Sequence, residues 1–402
     1  MKLFNKINKG FSDAKLNLLR FSLIFFFLIS LILVSYPKLL AQVSDSLIEK
    51  LKNANSDSLK IEILNQLLIH YIGKNDVETT EQYAEDAVAI AKATNFPIDA
   101  AKSLHEYADE LFHQSEYKNA LTYYKKALYI YTETKDSTNI YIIKSKLGNI
   151  YSSVNNNAKA LELQMQALQY FQKKQDKKNL AATYNNLGII YNNLNQQQKS
   201  IEFHKLGKDI YESLKDTAGS IKSYNNIGIC YKQIQNFERA YEYYMKALKL
   251  SEIINDKRFQ SAINTNLGAL FEDKGKYNQA IEYYFKALKI KEQINHKSGI
   301  SLLLFNIGSI YKKINNNEIA LEYFYKSLTI AQKIEDNERI LDCYYEISEV
   351  YANRRKFEEA YIFLKKFFNL FNSQYNLTEQ RKISELETRY EIDKRDKEIE
   401  LL

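Results

Sequence analysis

The sequence predicts an all-α fold: an α-solenoid of about eight helical hairpins followed by a C-terminal helix. Three observations predict it. Only 2 prolines and 11 glycines occur in 402 residues, too few breakers for the frequent turns of an all-β chain. Small residues recur at a fixed interval of forty. Between them, apolar residues are spaced three and four apart, the helical period.

Four regions follow in order: 1–41, an export segment; 42–57, a linker or the start of a first helix; 58–373, the eight repeats; and 374–402, a charged C-terminal helix. Residues 21–36 read FSLIFFFLISLILVSY, apolar and uncharged, after a basic stretch and before PKLLAQ. That order is the one a secretory signal has, with a cut after Ala41. Leu39 at the −3 position fits the small-residue rule poorly, so a signal anchor with its basic end in the cytoplasm is the alternative. Under either reading the body is exported, to the periplasm or envelope, and meets a membrane only through this segment.

The net charge of +7 is concentrated at the front. Lys2, Lys6, Lys9, Lys15, Arg20 and Lys38 stand against Asp13 alone, which leaves 50 bases and 48 acids beyond residue 41. A nearly neutral body argues against nucleic acid as a partner. Cys230 and Cys343 have no metal-knuckle or CxxC spacing, and both are expected to be buried thiols.

The repeat begins from a marker. Gly148, Gly188, Gly228, Gly268 and Gly308 are forty apart, with Leu68 and Ala108 before and Ser348 after. Three residues on come Tyr71, Leu111, Tyr151, Tyr191, Tyr231, Phe271, Tyr311 and Tyr351. Small pairs follow in each unit, such as Ala240 with Ala247 and Ala280 with Ala287. Ile221, Tyr224, Ile227 and Tyr231 mark a first helix; the polar turn Gln235–Asn236 precedes a second. The loop between units has its own ladder, Asp136, Asp176, Asp216, Asp256 and Asp336, with His296 in the remaining slot. These are expected to be N-caps, because a carboxylate accepts from the unpaired N–H groups of a first turn. A helical glycine costs about 1 kcal/mol relative to alanine, so five in one register imply close crossing of the paired helix.

These residues resemble the tetratricopeptide repeat family: G-x-x-Y in the first helix, then A-x-x-x-[YF]-x-x-A in the second, as in Ala240, Tyr244 and Ala247. The resemblance covers about residues 58–370. It implies a right-handed solenoid whose first helices line a binding surface. The chain departs from the family in lacking the early Trp (Tyr184 and Tyr224 stand there), in lacking the closing proline, and in its forty-residue unit. The arrangement of signal, long repeats and charged tail also resembles the exported sensor regions that precede a histidine kinase or a DNA-binding output domain. That resemblance implies a sensor half of such a system.

Two residues before each marker lies a polar ladder: Gln66, Glu106, Lys146, Asn186, Asn226, Asn266, Asn306 and Glu346. A carboxamide both donates and accepts, so the asparagines, widened by Asn185 and Asn225, can hold the backbone of an extended peptide. Equally, such a row can bond within and between helices and fix their spacing. His105, Asp109 and His113 share one face of one helix beside Glu106. Residues i and i+8 lie about 12 Å apart, so a groove wall is expected there and no metal site. His70 and His204 are expected to be packing residues.

Catalytic motifs are absent. The GK pairs at 73–74, 207–208 and 275–276 lack the earlier glycine of a phosphate loop, and no GxSxG occurs. The expectation is a binding module without cofactor, whose partner is a protein or peptide; a structural assembly scaffold is the alternative. In the tail, Ile383, Leu386 and Tyr390 keep a helical spacing. Two readings stand: a cap over the last hairpin, which solenoids need, or a coiled-coil seam joining two copies.

Overall fold

The computed structural model describes residues 45–56, 97–114 and 116–374, with scattered positions between 59 and 89. The export segment, most of the hairpin around Leu68, and the tail beyond residue 374 lie outside the described residues. The chain divides into two compact units, residues 1–174 and 175–402.

The first unit holds α1 (Pro97–His113), α2 (Tyr117–Glu133), α3 (Ser137–Ser153) and α4 (Asn157–Lys174). The second holds α5 (Lys177–Asn193), α6 (Gln197–Ser213), α7 (Thr217–Gln233), α8 (Phe237–Ile253) and α9 (Lys257–Asp273). It continues with α10 (Tyr277–Gln293), α11 (Lys297–Lys313), α12 (Asn317–Lys333), α13 (Asn337–Asn353) and α14 (357–374). No strand occurs among the described residues. From α1 through α4 and from α5 through α13, consecutive helices pack on one another within each unit. Odd-numbered helices are the first of a hairpin and even-numbered ones the second.

The forty-residue ruler proves to be twenty doubled. Positive φ values occur at Lys135, Asn155, Gln175, Asn195, Lys215, Gln235, Asn255, Gly275, Asn295, Asn315, Glu335 and Arg355, one every twenty residues. Within each unit these residues stand between one helix's C-cap and the N-cap of the next, so three residues suffice to reverse the chain. The N–H of the cap then bonds back to the helix just ended, as Asp136 does to Tyr131 O at 2.9 Å. This satisfies carbonyls that a helix C-terminus otherwise leaves unpaired.

The loop aspartates cap as expected. Asp136, Asp176, Asp216 and Asp336 each accept from the backbone N–H three residues on; Asp256 accepts from Arg258 and Phe259. His296 does the same work with a ring nitrogen, taking the Gly299 N–H at 3.0 Å.

The glycines make room for side chains from the second helix of the same hairpin. A Cβ on Gly228 or Gly268 would lie 2.6 or 2.5 Å from the ring of Tyr244 or Tyr284, sixteen residues later, and one on Gly308 would lie 2.9 Å from Phe324. The close crossing is therefore an aromatic ring seated on bare backbone. The marker-plus-three aromatics stack on the second helix as well: Tyr191 on Phe203, Phe271 on Tyr283 and Tyr311 on Tyr323, with centroids 5.2, 5.3 and 5.7 Å apart and planes within 6°. Such pairs add about 0.5–1.5 kcal/mol beyond area burial. Ala120, Ala127, Ala240, Ala247, Ala280 and Ala287 are fully buried beneath them.

Candidate functional site: the first-helix ladder

The period places every ladder residue on a first helix, one turn-face apart from the buried marker, and all but one of those in the second unit are partly exposed carboxamides. Asn186, Asn226, Asn266 and Asn306 are each half-buried, on α5, α7, α9 and α11, and Glu346 follows on α13. Beside them lie Ala182, Ala262 and Ala269, all at least partly exposed. Asn226 and Asn306 make no hydrogen bond among the described residues, whereas Asn266 Nδ2 donates to Asn225 Oδ1 of the preceding first helix at 2.8 Å. Lys312 Nζ reaches Glu346 at 2.9 Å. The ladder thus does two things: some members tie first helix to first helix, and others leave their amides open.

Asn185 is a correction to the sequence reading. Its side chain is not on the face but inside, donating to Ser223 Oγ at 2.8 Å and accepting from Ser223 at 3.1 Å and from His204 Nδ1 at 2.8 Å. Adjacent residues on a helix point about 100° apart, so Asn186 can stay partly exposed while Asn185 turns in. The signal that could have found it is His204, which occupies the buried ring position held by Tyr244 and Tyr284 in later repeats and therefore needs a polar partner. Burial pushes the His204 imidazole down to about 3, so it is neutral. Asn225, the other flanking position, is half-buried and engaged with Asn266.

In the first unit Lys146 is likewise committed. Its Nζ lies 2.8 and 2.9 Å from the two carboxylate oxygens of Asp109 on α1, and Tyr124 donates to the same carboxylate. His105 Nε2 sits 3.8 Å from Asp109 Oδ2. Burial lowers the His105 pKa; the Asp109 charge opposes this and Lys146 reinforces it. Burial, with Asp109 repulsion behind it, raises that of Glu106. The trio His105, Asp109 and His113 forms no chelate. Among the described residues no group of three or more His, Cys, Asp or Glu is placed to hold a metal ion.

Both thiols are core groups, with Cys230 beside Ser200 Oγ at 3.1 Å and Cys343 beside Ser327 Oγ at 3.5 Å. Burial raises the thiol pKa in each case, to about 11 at Cys343. Among the described residues no helix is long and apolar enough to cross a membrane.

Hairpins of constant length, joined by three-residue turns and each lending one polar position to a common column, define a helical-repeat protein. The tetratricopeptide repeat profile matches residues 99–173, 139–213 and 219–293, and a second profile of the same description matches 302–334. The chain belongs to the tetratricopeptide repeat family. No curated protein matches its sequence. Among solved structures it is similar to a Rap protein complexed with Competence and Sporulation Factor, with TM-score 0.59 and 14% identity over 84% of this chain and 93% of that one. It is similar also to the STAND signal-transduction ATPase with a tetratricopeptide repeat sensor from Pyrococcus horikoshii, at TM-score 0.59 and 15% identity, over 84% of this chain and 54% of that one. Aspartyl phosphate phosphatase F from Bacillus subtilis gives 0.54 and 15%, over 82% and 88%. At these identities the likeness is one of fold.

Proposed function

We propose that this chain is a non-catalytic module of the cell envelope that binds a protein or peptide partner, taking an extended stretch of it along the first helices of the second unit. The observation that carries this reading is the column Asn186, Asn226, Asn266 and Asn306: one partly exposed carboxamide per repeat, with Asn226 and Asn306 unengaged among the described residues. Each such amide can pair with both a peptide N–H and a peptide C=O. The alanines beside the column leave room for a main chain to come close. The fold itself is compatible with a bound partner, since a Rap protein of similar architecture is solved in complex with Competence and Sporulation Factor. Export rests on the basic, then apolar, order of residues 1–41. A scaffold role is favoured by a different observation, the Asn266–Asn225 bond, which spends two ladder amides on spacing the helices.

The test is selection of random-sequence peptides on the purified protein, followed by affinity measurement. Asn226→Ala combined with Asn306→Ala is expected to weaken the selected peptides about tenfold, the loss of one or two hydrogen bonds of about 1 kcal/mol each, with helicity unchanged. Undiminished affinity would contradict the ladder as the binding face. Retention of residues 1–41 on a protein confined to the cytoplasm would contradict export.

A further inference from the structure

We infer that the second unit carries another binding site, a cavity between α6 and α8 that takes an alkyl chain ending in a carboxylate, the chemistry of a fatty acid. The cavity holds about 440 Å³ and lies where the end of α6, the first two turns of α7 and the last two turns of α8 meet. That volume falls within the roughly 300–1,000 Å³ of small-ligand sites. It is not on the ladder face: Asn226 lies two residues beyond the lining Tyr224, about 200° round the same helix.

Departures from the forty-residue pattern coincide in this groove. Ser220, 4% exposed on the cavity floor, stands in the slot filled by Ile140, Leu180, Ile300 and Ile340, with Gln260 in the remaining repeat. Its hydroxyl turns back to its own helix, donating to Asp216 O at 2.9 Å. The space a larger side chain would fill is left open beside it. Ile253, 69% exposed, stands where other repeats hold Glu133, Lys173, Ser213, Gln293 and Lys333. With Leu250 it supplies an apolar wall. A single exposed isoleucine is ordinary; one bordering a cavity opened by a missing isoleucine is not. Lys215 and Lys249 complete the lining. Elsewhere that pair of slots reads Lys135 with Gln169, Gln175 with Asp209, Asn255 with Lys289, Asn295 with Thr329 and Glu335 with Asn369. Two lysines meet only here.

The charges around the cavity select the polar end of the ligand. Lys246 is paired with Glu242 at 2.6 Å. Glu212 is held by Lys208 at 3.3 Å, which also meets Asp209, and accepts from the Tyr224 hydroxyl. Lys215 and Lys249 form no ion pair among the described residues, so their ammonium groups are uncommitted. The side chains therefore offer donors to an anion, and their one carboxylate is already engaged. A peptide would bring main-chain N–H groups that need acceptors, and burying those unpaired is costly. An alkyl carboxylate brings no donor. Its chain is buried against Leu250 and Ile253, and its head meets Lys215 and Lys249.

The experiment is calorimetric titration of the full chain with octanoate, octan-1-ol, acetate and an acetylated tripeptide ending in leucine. Octanoate is expected to saturate the protein and to bind about tenfold more tightly than the other three. Ser220→Ile, which installs the side chain present as Ile300 and Ile340, is expected to weaken octanoate about tenfold with helicity unchanged. Lys215→Gln with Lys249→Gln, both exposed, is expected to bring octanoate down to the level of octan-1-ol. Octan-1-ol binding as tightly as octanoate would overturn the anionic head, and tighter binding of the tripeptide would overturn the proposal in favour of a peptide terminus. The absence of saturable octanoate binding, or affinity undiminished in either variant, would overturn it outright.

Discussion

His204 fills the space that Gly188 leaves empty: a Cβ on Gly188 would lie 2.6 Å from the imidazole Cε1 and Nε2. The pair repeats sixteen residues apart as Gly228 with Tyr244 and Gly268 with Tyr284. In the first unit it becomes Gly148 with Gln164, whose amide nitrogen would be 3.0 Å away. This relationship decides which glycines are replaceable. Gly228→Ala must displace a tyrosine with no exposed surface, and overpacking of that kind costs about 1–3 kcal/mol. That outweighs the roughly 1 kcal/mol a helix gains from alanine. The variant is expected to unfold at lower denaturant, whereas Gly148→Ala, whose Cβ would lie no nearer than 3.0 Å to Gln164, is expected to lose less. Equal losses in paired denaturation curves would contradict the ring-on-glycine account.

Stability should depend on pH through His204. Its native pKa is depressed to about 3, so the native state binds no proton while the unfolded chain takes one up below about 6.5. The stabilisation is complete above that value and is lost as pH falls toward the native pKa. Between pH 7 and 5 the loss is about 2 kcal/mol for this one group. His204→Gln, which installs the residue found at 164, is expected to remove that part of the slope. Denaturation curves at both pH values test it: an unchanged slope in the variant would sink the assignment.

The turns make an opposite pair of expectations. Gly275→Ala places a Cβ in open space, with nothing within 4 Å, yet at φ +68°. It should cost about 1–2 kcal/mol from backbone strain alone. Glu335→Gly, at φ 56°, relieves the same strain and should gain a smaller amount, since glycine also loses more entropy on folding. Thermal melts that move the two variants in the same direction would contradict the turn geometry.

His296 is the weakest member of the cap ladder, offering a ring nitrogen where five other repeats offer a carboxylate. His296→Asp is expected to raise stability by about 0.5–1 kcal/mol, because a carboxylate also complements the positive end of the helix. Amide exchange at Gly299 reports it directly: slower in the variant if the cap improves, unchanged if His296 is already equivalent.

Much of this architecture was legible in the sequence because each repeat buries the same positions. The glycine and aspartate ladders gave the hairpin, its register and its caps. The twenty-residue turn was not legible, since Lys135, Gln175, Lys215 and Glu335 adopt a left-handed conformation without the glycine or asparagine that would announce it. The site was half legible. Position along the ladder put Asn226 and Asn306 on the partly exposed side of the first helices, but whether an amide is open or spent depends on partners from other helices. Asn185 is spent on His204 and Ser223, Asn225 on Asn266, and Lys146 on Asp109, none of which is a sequence neighbour.

The most direct test of the binding face is the side-chain amide spectrum of the asparagines, recorded while a selected peptide is titrated in. The resonances of Asn226 and Asn306 are expected to shift with saturation, while that of Asn185, held between His204 and Ser223, stays in place. Shifts confined to the second helices, with Asn226 and Asn306 unmoved at saturation, would contradict the proposal that this column holds the partner.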